Sequence, residues 1–440
     1  MNINANTIGK YAKISSPETP LSLISNETTG DKTMPKQNFY HITCGILSGL
    51  YLAFNLTLAS ADDFSAIQKA AKGQTVYFNA WGGDAKINSY INWAKEALMD
   101  RHDVTLVHVK LTDTSSAVSR ILAEKAAGRK TGGSIDLLWV NGENFSAMKK
   151  AGLLQEQPWV TFLPNWQYTD SKSLPGILSD FAEPTNGKES PWGRAQLVFS
   201  FDSARLKIPP KSAAALADYI AANPGRFTFP QPPDFIGMSF LKQILIELTN
   251  ANPALYQQVN DADFAAVTAP LWNWLDTAKP NLWRSGSTYP PNYPVLRQLL
   301  GDGEVDIAIA FNPADTSAAI ARGELSRSAR TYIHDIGTLA NVHFLAIPFN
   351  ASSAEAAKLV ANFMLSPEAQ VKKADTAVWG DPTVLAMSKL SNTQRMAFNN
   401  LPRGIATLND ADLGRTLAEP HPSWTPRLEA AWISRYASGS

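Results

Sequence analysis

Three runs in the first third of the chain settle its architecture: QTVYFNA (Gln74–Ala80), VTLVHVK (Val104–Lys110) and IDLLWV (Ile135–Val140). Each is rich in β-branched, aromatic and aliphatic residues. They begin at 74, 104 and 135, so the offsets of 30 and 31 residues match a βαβ unit with its crossover helix. The intervening segments carry the helical period. Ile87, Tyr90, Ile91, Ala94 and Leu98 recur at spacings of three and four, as do Ala117, Val118, Ile121 and Leu122, with Gly128 placed to end the second helix. Right-handed crossovers then predict a parallel sheet covered on both faces, an α/β lobe.

Downstream, Pro158 to Arg194 shows few periodic signals and reads as loops and short helices. Leu197–Asp202 (LVFSFD), Arg226–Phe229, Val305–Phe311 (VDIAIAF) and Val342–Pro348 (VHFLAIP) read as strands. Ser212 caps an Ala-rich helix stopped by Asn223-Pro224-Gly225, and Ser366 caps another with Pro367 in its first turn. Residues 376–440 look helical and loop-like, with no convincing strand.

Composition narrows the function classes. The 440 residues exceed one compact core, so two lobes are expected. Thirty-nine basic against thirty-nine acidic residues leave no electrostatic footprint for nucleic acid. A single cysteine excludes a disulfide scaffold, a Cys-ligated zinc site and a Cys-X-X-Cys redox motif. No His-Glu-x-x-His, Gly-x-Ser-x-Gly, Walker loop or dinucleotide fingerprint occurs, so neither a metal nor a cofactor is expected. Residues 1–33 are polar and read as a non-globular extension or an over-called start. Residues 34–61 have the anatomy of a signal peptide: Lys36, an uncharged run from Ile42, and Ala59-Ser60-Ala61 before Asp62. A periplasmic location follows.

Ligands of α/β sheets bind beyond the carboxyl ends of parallel strands, where helix N-termini converge. Here those ends carry Trp81-Gly82-Gly83-Asp84, Asn141-Gly142-Glu143, Asp234-Phe235 after a Pro-rich loop, and Phe311-Asn312-Pro313-Ala314-Asp315. The glycines allow close backbone approach. Asp84, Asp234 and Asp315 read equally as helix N-caps. Tyr289, in the aromatic loop from Trp283 to Tyr293, reads either as a functional or as a packing residue. Of the twelve tryptophans, Trp81, Trp283 and Trp379 are expected near a cleft, whereas Trp272 and Trp274, two apart on a helix, should not both face one core.

In segment order the chain resembles the extracytoplasmic solute-binding proteins of ABC importers. The resemblance rests on GSIDLLWVNGENFSAMKKAGLL (Gly133–Leu154), GDGEVDIAIAFNPADTSAAI (Gly301–Ile320) and VHFLAIPFNASSAEAAKLVANFMLSPEAQVKK (Val342–Lys373). Trp139 to Phe145 is similar to the YnjB-like subfamily, near thiamine-, iron- and polyamine-binding relatives. The resemblance implies a two-lobed type II periplasmic-binding fold, with lobe 1 from 62–200 and 328–375, lobe 2 from 201–327, and 376–440 packing on the lobes. It implies a monomer that binds a small polar, cationic or heterocyclic solute and delivers it to an inner-membrane permease. Trp81, Gly82, Asp84, Asn141, Gly142 and Glu143 of lobe 1, with Asp234, Phe235, Tyr289 and Asn312 of lobe 2, would form the site. No Tyr-Tyr pair of the iron-binding members is present, which argues against a metal. An exported carbohydrate- or ester-processing enzyme is the alternative, and a structural or adhesive exported protein a second one.

Overall fold

Residues 75–81 form the strand on which the first lobe is built, and the sequence around them explains why. Phe78 and Ala80 point to one face of the sheet and are fully buried, against Tyr90, Ile91 and Leu98 of the next helix. The computed structural model describes residues 64–409 and 412–437; the leader expected over 34–61 and the extension before it lie outside them. In chain order, a short helix α1 (64–71) precedes β1 (Thr75–Trp81), α2 (Ala85–His102), β2 (Thr105–Leu111), α3 (Ser115–Ala126), β3 (Leu137–Val140) and α4 (Glu143–Lys150). Single 3₁₀ turns fill 160–178. Then come β4 (Ser179–Asp180), β5 (Glu183–Pro184), β6 (Glu189–Gln196), β7 (Val198–Asp202), α5 (Ala213–Ala222), α6 (Phe235–Leu248) and α7 (Asp261–Ala278). The order closes with α8 (Tyr293–Gly301), β8 (Ile307–Ala310), α9 (Asp315–Ala321), β9 (Ala329–Tyr332), β10 (Thr338–Ala346), α10 (Ala354–Met364), α11 (Pro367–Ala374), α12 (Asn392–Asn399), β11 (Thr416–Leu417) and α13 (Trp424–Trp432).

The first sheet runs β11-β10-β3-β1-β2, with β6 also paired to β10. β1 pairs β2 in parallel over seven residues and β3 in parallel at Phe78 and Asn79, as the βαβ spacing predicts. Successive residues serve opposite faces: Leu137 joins the core under α2 and α10, and Leu138 joins the one under α3 and α4. β10 returns antiparallel to both β3 and β6. The second sheet is β8-β7-β9, antiparallel throughout. Short connections separate the two sheets in sequence: the single residue Leu197 lies between β6 and β7, and the five residues 333–337 between β9 and β10.

Several expectations need correction. Leu122 is 49% exposed, so the buried stripe of α3 ends at Ile121. β6 lies within the segment read as loops; its residues ESPWGRAQ have poor strand propensity, and long-range pairing with β10 holds them extended. β11 likewise lies in a segment expected to lack strands, and exists only as a two-residue pairing with β10. The strand expected at 226–229 shrinks to one bridge, Phe227 to Ile307, because the Phe227 carbonyl accepts a bond from Trp283 N–H instead. Trp272 and Trp274 do share one core, at 4% and 8% exposure. The Trp274 indole N–H donates to the Ala213 carbonyl beside α5, and Trp272 meets Tyr436 of the C-terminal segment, so α7 is enclosed from two sides. No helix of the described residues is long and apolar enough to cross a membrane.

Candidate ligand cleft

The two flanking elements of each strand end are set by local chemistry. Asp84 is the N-cap of α2; its carboxylate accepts from Lys86 N–H at 2.7 Å and Ile87 N–H at 3.3 Å. Asp234 caps α6 in the same way, accepting from Ile236 and Gly237. Both therefore satisfy orphan helix donors. Asp315 does not cap α9. It is the first helical residue there, and its carboxylate accepts from Arg297 at 2.9 Å.

Around Arg297 the lobes meet. Its guanidinium, on α8, also lies 3.0 Å from Glu324 and 3.8 Å from Asp84 of the first lobe. Burial first, and then the Asp84 charge, push the Asp315 carboxyl up to about 8. Lys86 reaches the Thr376 carbonyl, and a Cβ on Gly380 would sit 2.7 Å from Ala314. The segment after α11 thus touches the loop after β8.

A second meeting point forms at the end of β3. Gly142 has φ +63°, and its N–H donates to Asp180 Oδ2 at 2.7 Å. A Cβ there would collide with the Phe181 ring at 2.6 Å, so only glycine fits. Asp180 and Phe181 sit on the two-residue hairpin between β4 and β5, whose Phe181 and Ala182 both hold positive φ (43° and 67°). Non-glycine residues rarely accept this conformation, and such strain concentrates at binding sites. Facing this hairpin is Lys242, midway along α6 and 2% exposed. Its ammonium donates to Glu419 at 2.6 Å and lies 4.5 Å from the Phe181 ring centroid and 6.0 Å from that of Phe235. Phe235 is itself 40% exposed and edge-on to Phe311.

The site is rich in carboxylates. Burial raises Glu143 at the start of α4, and the Lys242 charge partly opposes that rise. Burial raises Asp180 far above the carboxylate range, with the Gly142 N–H bond opposing it. Burial takes Asp234 to about 6, and Asp113 after β2 adds to the effect. Asp180 Oδ1 has no hydrogen-bond partner among the described residues.

The expected residues divide accordingly. Asp84 lies at the Arg297 contact, Gly142 and Glu143 at the Asp180–Lys242 contact, and Asp234 and Phe235 begin the helix that bears Lys242. Asn141 is half-buried beside Gly142, and Asn312 turns its side chain back to cap Ala314 N–H. Trp81 is half-buried at the end of β1, but the glycines beside it serve packing: a Cβ on Gly83 would meet the Trp81 ring at 2.4 Å, and one on Gly82 would meet Lys110 at 2.6 Å. Tyr289 lies in the second-lobe core against Phe229 and Trp432. Trp283 packs on the same lobe and donates to Glu304. Trp379 is buried in an aromatic cluster with Tyr90, Trp139 and Trp192. Sequence reading missed Asp180, Phe181, Lys242, Arg297 and Glu419. A separate cavity of about 560 Å³ lies at the far end of α2, lined by Arg101, His102 and Phe363. Eighteen residues of helix, about 27 Å, separate it from Asp84.

Comparison with known proteins identifies the family and the fold. Residues 93–396 match the family model of the bacterial extracellular solute-binding proteins. Protein YnjB of Escherichia coli K12 is 48% identical over 396 residues, 90% of this chain and 99% of that one. The chain belongs to the bacterial extracellular solute-binding proteins. Solved structures share the fold: the periplasmic binding protein AfuA from Actinobacillus pleuropneumoniae (TM-score 0.58, 16% identity, 83% and 99% of the two chains) and a periplasmic thiamin binding protein (0.55, 16%, 82% and 95%). The spermidine/putrescine substrate-binding protein PotD from Streptococcus pneumoniae is similar too (0.56, 13%, 82% and 98%). The protein is thus a solute-binding protein of that family, with the two-lobed type II periplasmic-binding fold.

Proposed function

We propose that the solute carries a positive charge and binds between the lobes, at the strand ends that bear Glu143, Asp180 and Asp234. One observation carries this reading: Glu143 and Asp180 lie within the field of Lys242 and its partner Glu419, beside the rings of Phe181 and Phe235, and Asp234 caps the helix that bears Lys242. Carboxylates and aromatic faces both favour a cation, and an ammonium over a ring gains about 0.5–2 kcal/mol. Trp81, Asn141 and Asn312 line the approach, and Asp84 acts through Arg297.

The chain passes between the lobes at Leu197 and again at 333–337, close to the bounds expected at 200 and 328, and the lobes pivot there. Solute that touches both lobes favours the closed form, which the permease then reads. The exported protein acts as a monomer, after loss of the leader ending at Ala61, and has no role with nucleic acid. Native mass spectrometry of protein purified without refolding tests the reading. The expected spectrum shows a small adduct that is released on denaturation and contains a basic nitrogen. An adduct that is anionic, or a panel of amines and nitrogen heterocycles without any thermal shift, would overturn it.

A further inference from the structure

We infer that Lys242 determines the charge of the solute that the cleft admits: its tethered ammonium fills one of two cation positions and leaves the other to the solute. This rests on the cleft reading above and deepens it. The ammonium is held as a bound amine would be, with the Glu419 carboxylate at 2.6 Å on one side and the Phe181 ring face at 4.5 Å on the other. An ion pair that merely fastened the C-terminal segment to α6 would need no ring from the opposite lobe. Here that ring comes from a residue kept at φ 43°, a conformation that costs energy unless the surroundings enforce it. The second position is open. Asp180 is 1% exposed, one of its oxygens accepts from Gly142 N–H, and the other has no hydrogen-bond partner among the described residues. Glu143 and Asp180 both feel the Lys242 charge and Glu419 pairs with it, so the three acids draw on the same cation.

Replacing that cation by methionine, which keeps an unbranched apolar stem one atom shorter, therefore adds one unit of negative charge beside Asp180. At separations of about 6 Å and an effective dielectric near 20, one charge changes cation affinity by about tenfold or more. The experiment titrates 1-aminobutane and 1,4-diaminobutane, matched in carbon count but carrying one and two charges, into wild type, Lys242→Met, Lys242→Arg and Glu419→Gln. Calorimetry and tryptophan fluorescence report binding. The expected preference for the diamine over the monoamine rises about tenfold in Lys242→Met, stays within about threefold of wild type in Lys242→Arg, and falls in Glu419→Gln. The last variant keeps the test decisive if Lys242→Met does not fold. A wild-type protein that binds the amines, with the preference unchanged in Lys242→Met, or in Glu419→Gln where Lys242→Met does not fold, would overturn the role of Lys242 and leave the cationic-solute reading standing. No amine binding by wild type or Lys242→Met, with a solute still seen by native mass spectrometry, would also overturn it. Absence of both amine binding and any co-purified solute would bring down the cleft reading itself.

Discussion

Asp84→Asn separates the two things Asp84 does. As N-cap of α2 the carboxylate accepts from two backbone N–H groups, and asparagine caps a helix about as well as aspartate, so the helix start survives. As a charge, Asp84 faces Arg297 across the lobes at 3.8 Å, and asparagine removes that attraction. Coulomb's law at an effective dielectric near 20 gives about 4 kcal/mol for unit charges at that distance. Arg297 is already paired on its own lobe with Asp315 and Glu324, so most of that is compensated, and a net loss of about 1 kcal/mol is the reasonable figure. That corresponds to about a fivefold shift from the closed toward the open form. Small-angle scattering of solute-free protein should show a larger radius of gyration for the variant, with saturating solute restoring the wild-type profile. The Asp315 carboxyl, held near 8 by burial and then by Asp84, should titrate lower in the variant. Identical scattering together with an unmoved Asp315 titration would refute the cross-lobe contact. Asp84→Ala should cost a further 0.5–2 kcal/mol or so of unfolding stability through the lost cap.

Gly193→Ala should destabilise the first lobe by about 3 kcal/mol in urea unfolding, because a Cβ would lie 2.0 Å from both Asp381 and His343 and break the buried Asp381–Lys373 pair; a loss under about 1 kcal/mol would show that the pair is unimportant. Trp81→Ala should reduce the fluorescence change on solute binding and weaken affinity by about 0.5–2 kcal/mol, and an unaltered titration would remove Trp81 from the site. Unfolding stability should fall as pH rises from about 4 to about 8. Asp234 (about 6), Asp315 (about 8), Glu143, Asp180 and Glu189 are all raised by burial, so the native state holds more protons than the unfolded chain in that window. His102, His108 and His421, lowered by burial, oppose this only below the ordinary histidine range. A urea midpoint higher at pH 7.5 than at pH 5.5 would contradict the assignment.

What could be read from the sequence was whatever neighbours in the chain decide. The β1–β2–β3 spacing, the capping aspartates and the glycine before Glu143 each declare themselves within a few residues. The cleft's other half does not, and the reason is physical. Asp180 and Phe181 ride on a hairpin whose turn is Phe-Ala, where such a turn normally advertises itself by Asn-Gly, so no local signal marks it. Lys242 stands inside the apolar run FLKQIL on a helix buried nearly all round, and its partner Glu419 is 177 residues away. A lysine there makes sense only once the opposing lobe and the C-terminal segment are in place.

The same logic explains the tryptophans. Trp283 and Trp379 look like recognition residues because they stand among glycine, serine and aspartate, but those neighbours are turn formers, and turns place side chains inward as readily as outward. Trp379 is drawn into a cluster with Trp139 and Trp192, beside the Lys373–Asp381 pair. That pairing fixes the segment after α11, which in turn presses Gly380 against Ala314 of the second lobe. Aromatic residues that were expected to touch solute instead hold the frame against which the lobes close. On the proposed reading direct recognition passes to Phe181 and Phe235, on opposite lobes, whose ring centroids lie 4.5 and 6.0 Å from the Lys242 ammonium. Closure and recognition therefore depend on different aromatic sets. A variant in the Trp379 cluster should lower stability with the amine preference intact, while one at Phe181 should do the reverse.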